Sequence, residues 1–348
     1  MNVYIYSQFQ KMIEKSGVGR AMYHQKKALE REGVQVVDRK EDADVIHINT
    51  IFPGSVSMAL WAKRHGKAVV FHAHSTREDF ANSYVGSNRF AGLFGKWITF
   101  CYQLGDNVIT PSNYSRKLLL SYGIQKPVHV ISNGIDTSYY QRLSMDRNKF
   151  RKKYGYKDTD KVIMSVGLWI ERKGILDFVE LAKQMPEYQF IWFGQSDLRT
   201  VPEKVRKAVE TKLPNLRFAG YVGKEELRQA YAACDLFLFP SYEETEGIVV
   251  LEALAMKIPV LLRDIPVYDG WIDRGISAYM AENNFDFEKL ARGILEKDLP
   301  SLTDNGYEVA RQRDIGKIGK KLLRVYEEAC QIRQEKYLPH MKPVPGAE

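Results

Sequence analysis

Two carboxylates eight residues apart, Glu244 and Glu252, bracket a glycine in Pro240-Ser241-Tyr242-Glu243-Glu244-Thr245-Glu246-Gly247-Ile248-Val249-Val250-Leu251-Glu252-Ala253-Leu254-Ala255. An apolar run, Leu236 to Phe239, precedes the stretch, and a helix-forming segment opens at about Ile248. The pattern reads as strand, tight acidic loop and helix, with Gly247 at the turn. A first helical turn leaves N–H groups without partners and gathers positive partial charge, so the architecture suits a phosphate. Gly247 lets a ligand approach the backbone closely. Eight residues of helix span about 12 Å, more than the roughly 5–9.5 Å at which paired carboxyls divide acid and base work on a glycosidic bond. Separate roles are therefore expected for the two glutamates; the bland alternative is an ordinary strand–loop–helix unit with solvated carboxylates.

Other groups are placed where chemistry is possible. His72 and His74 end the apolar run Ala68 to Phe71, and two residues apart on an extended strand they point to one side. They either pack locally or face a ligand. Arg172-Lys173-Gly174 follows the run Val162 to Gly167, at a strand's carboxyl end, where two cations could hold a diphosphate; charge-assisted bonds contribute about 1.5–3 kcal/mol each. Ser16-Gly17-Val18-Gly19-Arg20 is a glycine loop feeding a helix from Ala21 to Arg31. Gly17 and Gly19 resemble a phosphate loop weakly, since the third glycine of a dinucleotide fingerprint is missing. Cys101, Cys234 and Cys330 have neither disulfide nor zinc-ligand spacing, which suits a reducing compartment.

The elements that must position these residues alternate. Short apolar strands at Val3–Tyr6, Val34–Val37, Val45–Ile48, Ala68–Phe71 and Val128–Ile131 are separated by helical or turn segments, and a second series begins at Lys161. Such alternation implies parallel sheets covered on both faces, with ligands at the carboxyl ends of the strands. The 348 residues suffice for two α/β domains, expected at 1–155 and 156–315. The helical region 316–348, with a short tail from Pro339, is expected to pack back across the domain gap.

Charge is uneven. Residues 1–155 carry 23 Lys+Arg against 12 Asp+Glu, and the remainder 28 against 31. A basic half suits an anionic partner, nucleic acid or a membrane surface, and no nucleic-acid motif accompanies it. No run reaches the roughly 18 apolar residues of a membrane span, and no signal-peptide layout opens the chain. The helix expected over 87–104 is amphipathic, and Arg89, Lys96 and Trp97 on it, with Arg116 and Lys117 further on, fit an interfacial surface. The expected location is peripheral, on the cytoplasmic face of the membrane.

Together Pro240-Ser241, Glu244, Gly247 and Glu252-Ala253-Leu254-Ala255 resemble the Glu-seven-residues-Glu signature of retaining GT-B glycosyltransferases of family four. Asn133-Gly134-Ile135-Asp136, Arg172-Lys173-Gly174 and Pro259-Val260 extend the resemblance over most of the chain. His72-Ala73-His74-Ser75-Thr76-Arg77-Glu78-Asp79-Phe80 and the basic first half bring it nearest to Gram-positive diacylglycerol and glucosyl-diacylglycerol glycosyltransferases. The resemblance implies a GT-B fold, two Rossmann-like domains facing a cleft, and transfer of glucose or galactose from a UDP-hexose to a glycolipid. Monoglucosyl-diacylglycerol is the implied acceptor; diacylglycerol itself, a polysaccharide, a teichoic acid or a protein are the alternatives, and a non-catalytic membrane-binding subunit is the alternative of another class. It further implies that Glu244 stabilises charge at the anomeric carbon and Glu252 holds the ribose. Backbone N–H groups at Gly247 and Ile248 would bind the diphosphate, Lys173 with Arg172 would neutralise the leaving UDP, and His74 or His72 would contact the donor sugar. Front-face attack, in which the departing phosphate takes the acceptor's proton, needs no protein base. One departure stands out: Leu168 follows Gly167 where the family commonly has arginine. No metal ligand set is implied, Asp42-Ala43-Asp44 lying far from the signature; a divalent ion such as Mg could assist diphosphate departure.

Overall fold

A computed structural model describes residues 1–14 and 16–337; the tail from Pro339 lies outside the described residues. The chain forms two compact units, one comprising residues 1–76, 93–134 and the chain from Ile315, the other residues 77–92 and 135–314.

The first unit is built on six parallel strands, β1 (Asn2–Tyr6), β2 (Gln35–Val36), β3 (Val45–Ile48), β4 (Ala68–His72), β5 (Asn107–Thr110) and β6 (Val128–Val130), in the order β2-β1-β3-β4-β5-β6. Their side chains alternate between two buried layers. Val45, Val70 and Ile109 face the Gly17–Arg31 and Ile315–Tyr337 helices, while Ile46, Ile48, Val69 and Phe71 face the layer that holds Ile98, Tyr102 and Leu119. The Gly17–Arg31 helix begins earlier than the glycine spacing suggests. Ser16 caps it, its hydroxyl accepting from Gly19 N at 3.3 Å, which recruits the glycines into the first turn. The last helix lies so close to this one that a Cβ at Gly319 would sit 2.3 Å from the Ala28 carbonyl oxygen.

The second unit holds β7 (Val162–Val166), β8 (Gln189–Phe193), β9 (Leu216–Gly220), β10 (Leu236–Phe239), β11 (Val260–Arg263) and β12 (Tyr279–Ala281), ordered β12-β11-β10-β7-β8-β9, all parallel. Its first and fourth strands are neighbours, so the strand order reverses between β7 and β10. Ligands of open α/β sheets bind at such a switch point, outside the carboxyl ends of the strands. In the first unit the reversal lies between β1 and β3.

Candidate active site

The loops leaving β7 and β10 meet beside the switch point of the second unit. After β7 the chain makes a short turn over Glu171–Lys173, ending at Gly174 with φ 74°. A Cβ there would lie 2.2 Å from the Pro240 carbonyl oxygen, so only glycine lets the two loops touch. This approach brings Lys173 onto Glu244. The Lys173 ammonium donates to Glu244 Oε1, and the Ser241 hydroxyl donates to the same oxygen at 2.6 Å. Phe239 closes the site from below, its ring centre 5.4 Å from Lys173 Nζ.

Arg172 is anchored on the other side of the carboxylate, with Nη1 2.9 Å from Asp79 and 4.0 Å from Glu244. Its Nε donates to Ser83 at 3.2 Å and its Nη1 to the Glu243 carbonyl at 2.5 Å. Arg172 therefore ties the 77–92 segment to the acidic loop. Burial by itself would raise the Glu244 pKa, but Lys173 and Arg172 outweigh it and hold the carboxyl below its usual range. Burial lowers the Lys173 pKa against the pull of Glu244, and it raises that of Asp79 against Arg172.

Gly247 has φ 90° and opens the Ile248–Ala255 helix, whose first turn has no side-chain cap. The left-handed backbone and the uncapped N–H groups are a phosphate-binding geometry. Glu252, one turn further in, is 2% exposed. Tyr140 donates to its Oε1 at 2.5 Å and Tyr231 to its Oε2 at 3.0 Å. The two glutamates thus sit in different hydrogen-bond networks and share no proton. Neither tyrosine carries a sequence signal, since their partners lie 112 and 21 residues away. Leu168, beside Gly167, is half exposed and contributes no charge.

In the first unit His72 and His74 do point to one side, and a third imidazole joins them. His47 and His72 stack at 5.4 Å, and His72 and His74 at 4.1 Å, with nearly parallel rings. His72 is buried inside this column and His74 is its more exposed end. Burial pushes His47 and His74 down to about 3 and His72 well below its ordinary value, so all three are neutral. His47 is the residue that spacing missed; a histidine on the four-residue strand Val45–Ile48 was its signal. Gly17 and Gly19 lie in the helix start described above, and a Cβ at Gly19 would meet the Ile13 carbonyl oxygen at 2.4 Å. Local backbone packing accounts for that glycine.

The candidate membrane residues divide. On the Ser87–Gln103 helix Arg89 and Lys96 are exposed together with Phe90, Leu93 and Phe100, the last three 54%, 67% and 50% exposed. Arg89, Leu93, Lys96 and Phe100 lie on one helical face. Trp97 does not join it: the indole turns inward and donates to the Ile51 carbonyl at 2.7 Å, because burying an indole is favourable once its N–H has a partner. Arg116 and Lys117 are exposed beside Leu120 on the Asn113–Ser121 helix, with Arg116 Nε donating to the Val128 carbonyl at 3.1 Å. Among the described residues no group of three or more His, Cys, Asp or Glu side chains is arranged to hold a metal ion. Asp44 instead accepts from Asn2 N at 2.8 Å, at the edge of the sheet.

These loops and strands match known proteins. The model described as "Glycosyl transferases group 1" matches residues 146–302, and "Glycosyltransferase Family 4" matches residues 37–139. Over 96% of this chain and the whole of the relative, the sequence is 40% identical to the processive diacylglycerol alpha-glucosyltransferase of Acholeplasma laidlawii. The chain belongs to the GT-B glycosyltransferases of family four. The alpha-galactosylglucosyldiacylglycerol synthase of Streptococcus pneumoniae is 29% identical over 65% of this glycosyltransferase and 62% of its own length. Among solved structures, Anabaena HepE in complex with UDP and glucose has the same fold, with a TM-score of 0.75 over 94% of this chain and 99% of that one at 17% identity. The enzyme is a hexosyltransferase, and the β7/β10 loops carry its cations Lys173 and Arg172 beside Glu244. No helix among its described residues is long and apolar enough to cross a membrane.

Proposed function

We propose that this enzyme transfers a hexose, with retention of anomeric configuration, from a UDP-hexose to a diacylglycerol-based lipid at a membrane surface. The observation that carries the reading is the Lys173–Glu244–Ser241 cluster held over the uncapped Gly247 turn at the β7/β10 switch point. A buried carboxylate kept ionised by two cations suits an anomeric centre that becomes positive, and Lys173 with the Gly247 and Ile248 N–H groups suits a departing diphosphate. Arg172 supports this electrostatically from its anchored position. Glu252 is assigned the ribose hydroxyls and His74, the less buried end of the histidine column, a hydroxyl of the donor sugar. With Glu244 and Glu252 in separate networks, neither is required as a proton acceptor, and the departing phosphate takes the acceptor's proton.

UDP as the nucleotide is supported by the UDP complex of the structural neighbour, and glucose by the name of the 40%-identical relative. That relative's name contains both "processive" and "diacylglycerol". The acceptors we propose are therefore diacylglycerol as well as the monoglucosyl-diacylglycerol that resemblance alone implied. The exposed Arg89, Leu93, Lys96 and Phe100 face supports delivery of such a lipid from an anionic surface.

The decisive experiment offers UDP-glucose and UDP-galactose separately to the protein with anionic vesicles containing diacylglycerol or monoglucosyl-diacylglycerol, and reads product mass and linkage. An α-linked glucosyl or diglucosyl lipid is expected. A β linkage overturns retention, and transfer to water-soluble polymer with none to lipid overturns the acceptor.

A further inference from the structure

The histidine column is part of a hydrogen-bonded chain whose direction can be worked out from one end. Tyr326 of the last helix is fully buried, and among the described residues its hydrogen-bond partner is His47 Nδ1, at 2.5 Å. A buried phenol O–H with one partner must donate to it, since accepting would leave its own proton without an acceptor. His47 Nδ1 is then the acceptor, and a neutral imidazole accepting there carries its proton on Nε2. That N–H faces His72 Nδ1 at 3.3 Å, which then accepts, so His72 carries its own proton on Nε2, a buried nitrogen without a protein partner among the described residues.

Gln25 Nε2 lies 2.8 Å from the same His72 Nδ1, so the amide nitrogen of Gln25 faces the ring and also donates to Asn49 Oδ1 at 2.9 Å. With its oxygen turned to Gln25, Asn49 can only accept from His74 Nε2, 2.8 Å away. With the phenol donating, each step forces the next: reversing one amide alone would place two acceptors or two donors face to face, and reversing both would require His72 to carry its proton on Nδ1 and the phenol to accept. The longest link spans 279 residues of sequence, and the chain ends at the half-buried imidazole of His74.

We infer that the Tyr326 hydroxyl, acting through His47, His72, Gln25 and Asn49, fixes His74 as the Nε2–H tautomer and presents its Nδ1 as an acceptor for a hydroxyl of the donor sugar. Tyr326, Gln25 and Asn49 are positioning residues; none of them touches substrate in this scheme. The wrong tautomer would set an N–H against a hydroxyl that then needs a different acceptor. The inference rests on the reading that His74 serves the donor sugar.

The test is long-range 1H–15N correlation on the full chain labelled at histidine nitrogen, which distinguishes Nδ1–H from Nε2–H directly. In the wild type His74 is expected neutral with the proton on Nε2 at pH 7. Tyr326→Phe removes one oxygen and should produce a mixture of His74 tautomers and a kcat about tenfold lower, with KM for the UDP-hexose changed less than about twofold. Asn49→Ala should do the same from the other end of the chain, and Asn49→Asp, which keeps an acceptor for His74 Nε2–H, should restore the Nε2–H form. A wild-type His74 protonated on Nδ1 overturns the inference, as does a Tyr326→Phe or Asn49→Ala protein with unaltered tautomer and kcat. Wild-type transfer by His74→Ala would sink instead the reading that His74 serves the donor, leaving the measured tautomer to judge the chain by itself.

Discussion

Glu244 gathers the charges of the second unit into one arrangement. It accepts from Lys173 and Ser241 and lies near Arg172, while Arg172 is held by Asp79. Glu244→Gln keeps the size and the hydrogen bond to Ser241 but removes the negative charge. Transfer is expected to fall about 10²- to 10³-fold with an unchanged circular dichroism spectrum, and turnover close to wild type would refute the role. Lys173→Ala leaves a buried carboxylate short of its nearest cation. It should lose comparable activity and also about 3 kcal/mol of stability, read by urea unfolding. The histidine column makes a pH prediction of definite sign. His47 and His74 have folded values of about 3 against an ordinary 6.5, so the unfolded chain binds protons more readily than the folded one. Stability is complete above about pH 6.5 and declines as the pH falls towards 3, by up to about 1.4 kcal/mol per pH unit for each histidine. Urea midpoints at pH 7.5 and 5 should show the decline, and a His47→Asn variant should flatten it. Equal slopes in the two proteins would rule out His47 as its source.

The elements carry two further expectations. The Ser87–Gln103 helix exposes Leu93 and Phe100 on the same face as Arg89 and Lys96. Insertion of each apolar side chain is worth about 1.5–3 kcal/mol, so Leu93→Glu with Phe100→Glu should weaken partition into anionic vesicles by about a hundredfold or more in a flotation assay. Trp97→Phe should leave flotation unchanged and lower thermal stability instead, because the indole N–H is spent on Ile51. Equal vesicle binding by wild type and the double variant would remove this helix from any membrane role. The turn at Gly174 is similarly sharp: Gly174→Ala meets the Pro240 carbonyl at 2.2 Å in a φ of 74°. It should push the Lys173 and Glu244 loops apart and reduce both UDP affinity and stability, measurable by calorimetry on one protein sample.

At the scale of the molecule, what sequence made legible was whatever repeats locally. Apolar runs alternating with helices revealed both parallel sheets, and the Pro240–Ala255 stretch revealed a strand, a left-handed glycine and a helix start because each has its own residue pattern. The contacts that give those residues their chemistry were not legible. Asp79 on Arg172, Tyr140 and Tyr231 on Glu252, and Tyr326 on His47 join positions that only the strand order brings together. Trp97 shows the limit from the other side: helical periodicity locates a face, but which aromatic turns inward depends on a carbonyl 46 residues away.

The return of the last helix to the first unit has a bearing on how the protein is made. Ile315, Ile318, Leu322, Val325 and Tyr326 complete one face of a sheet whose strands were all synthesised before residue 131. A ribosome reading from the N-terminus therefore releases the second unit's 135–314 segment before the first unit has its full core. Until the final helix emerges, Val45, Val70 and Ile109 lack part of their cover, and His47 its phenol. During translation the enzyme's earlier half is thus the later to mature, a window in which a partly covered β-sheet face is open to chaperones and to other nascent chains.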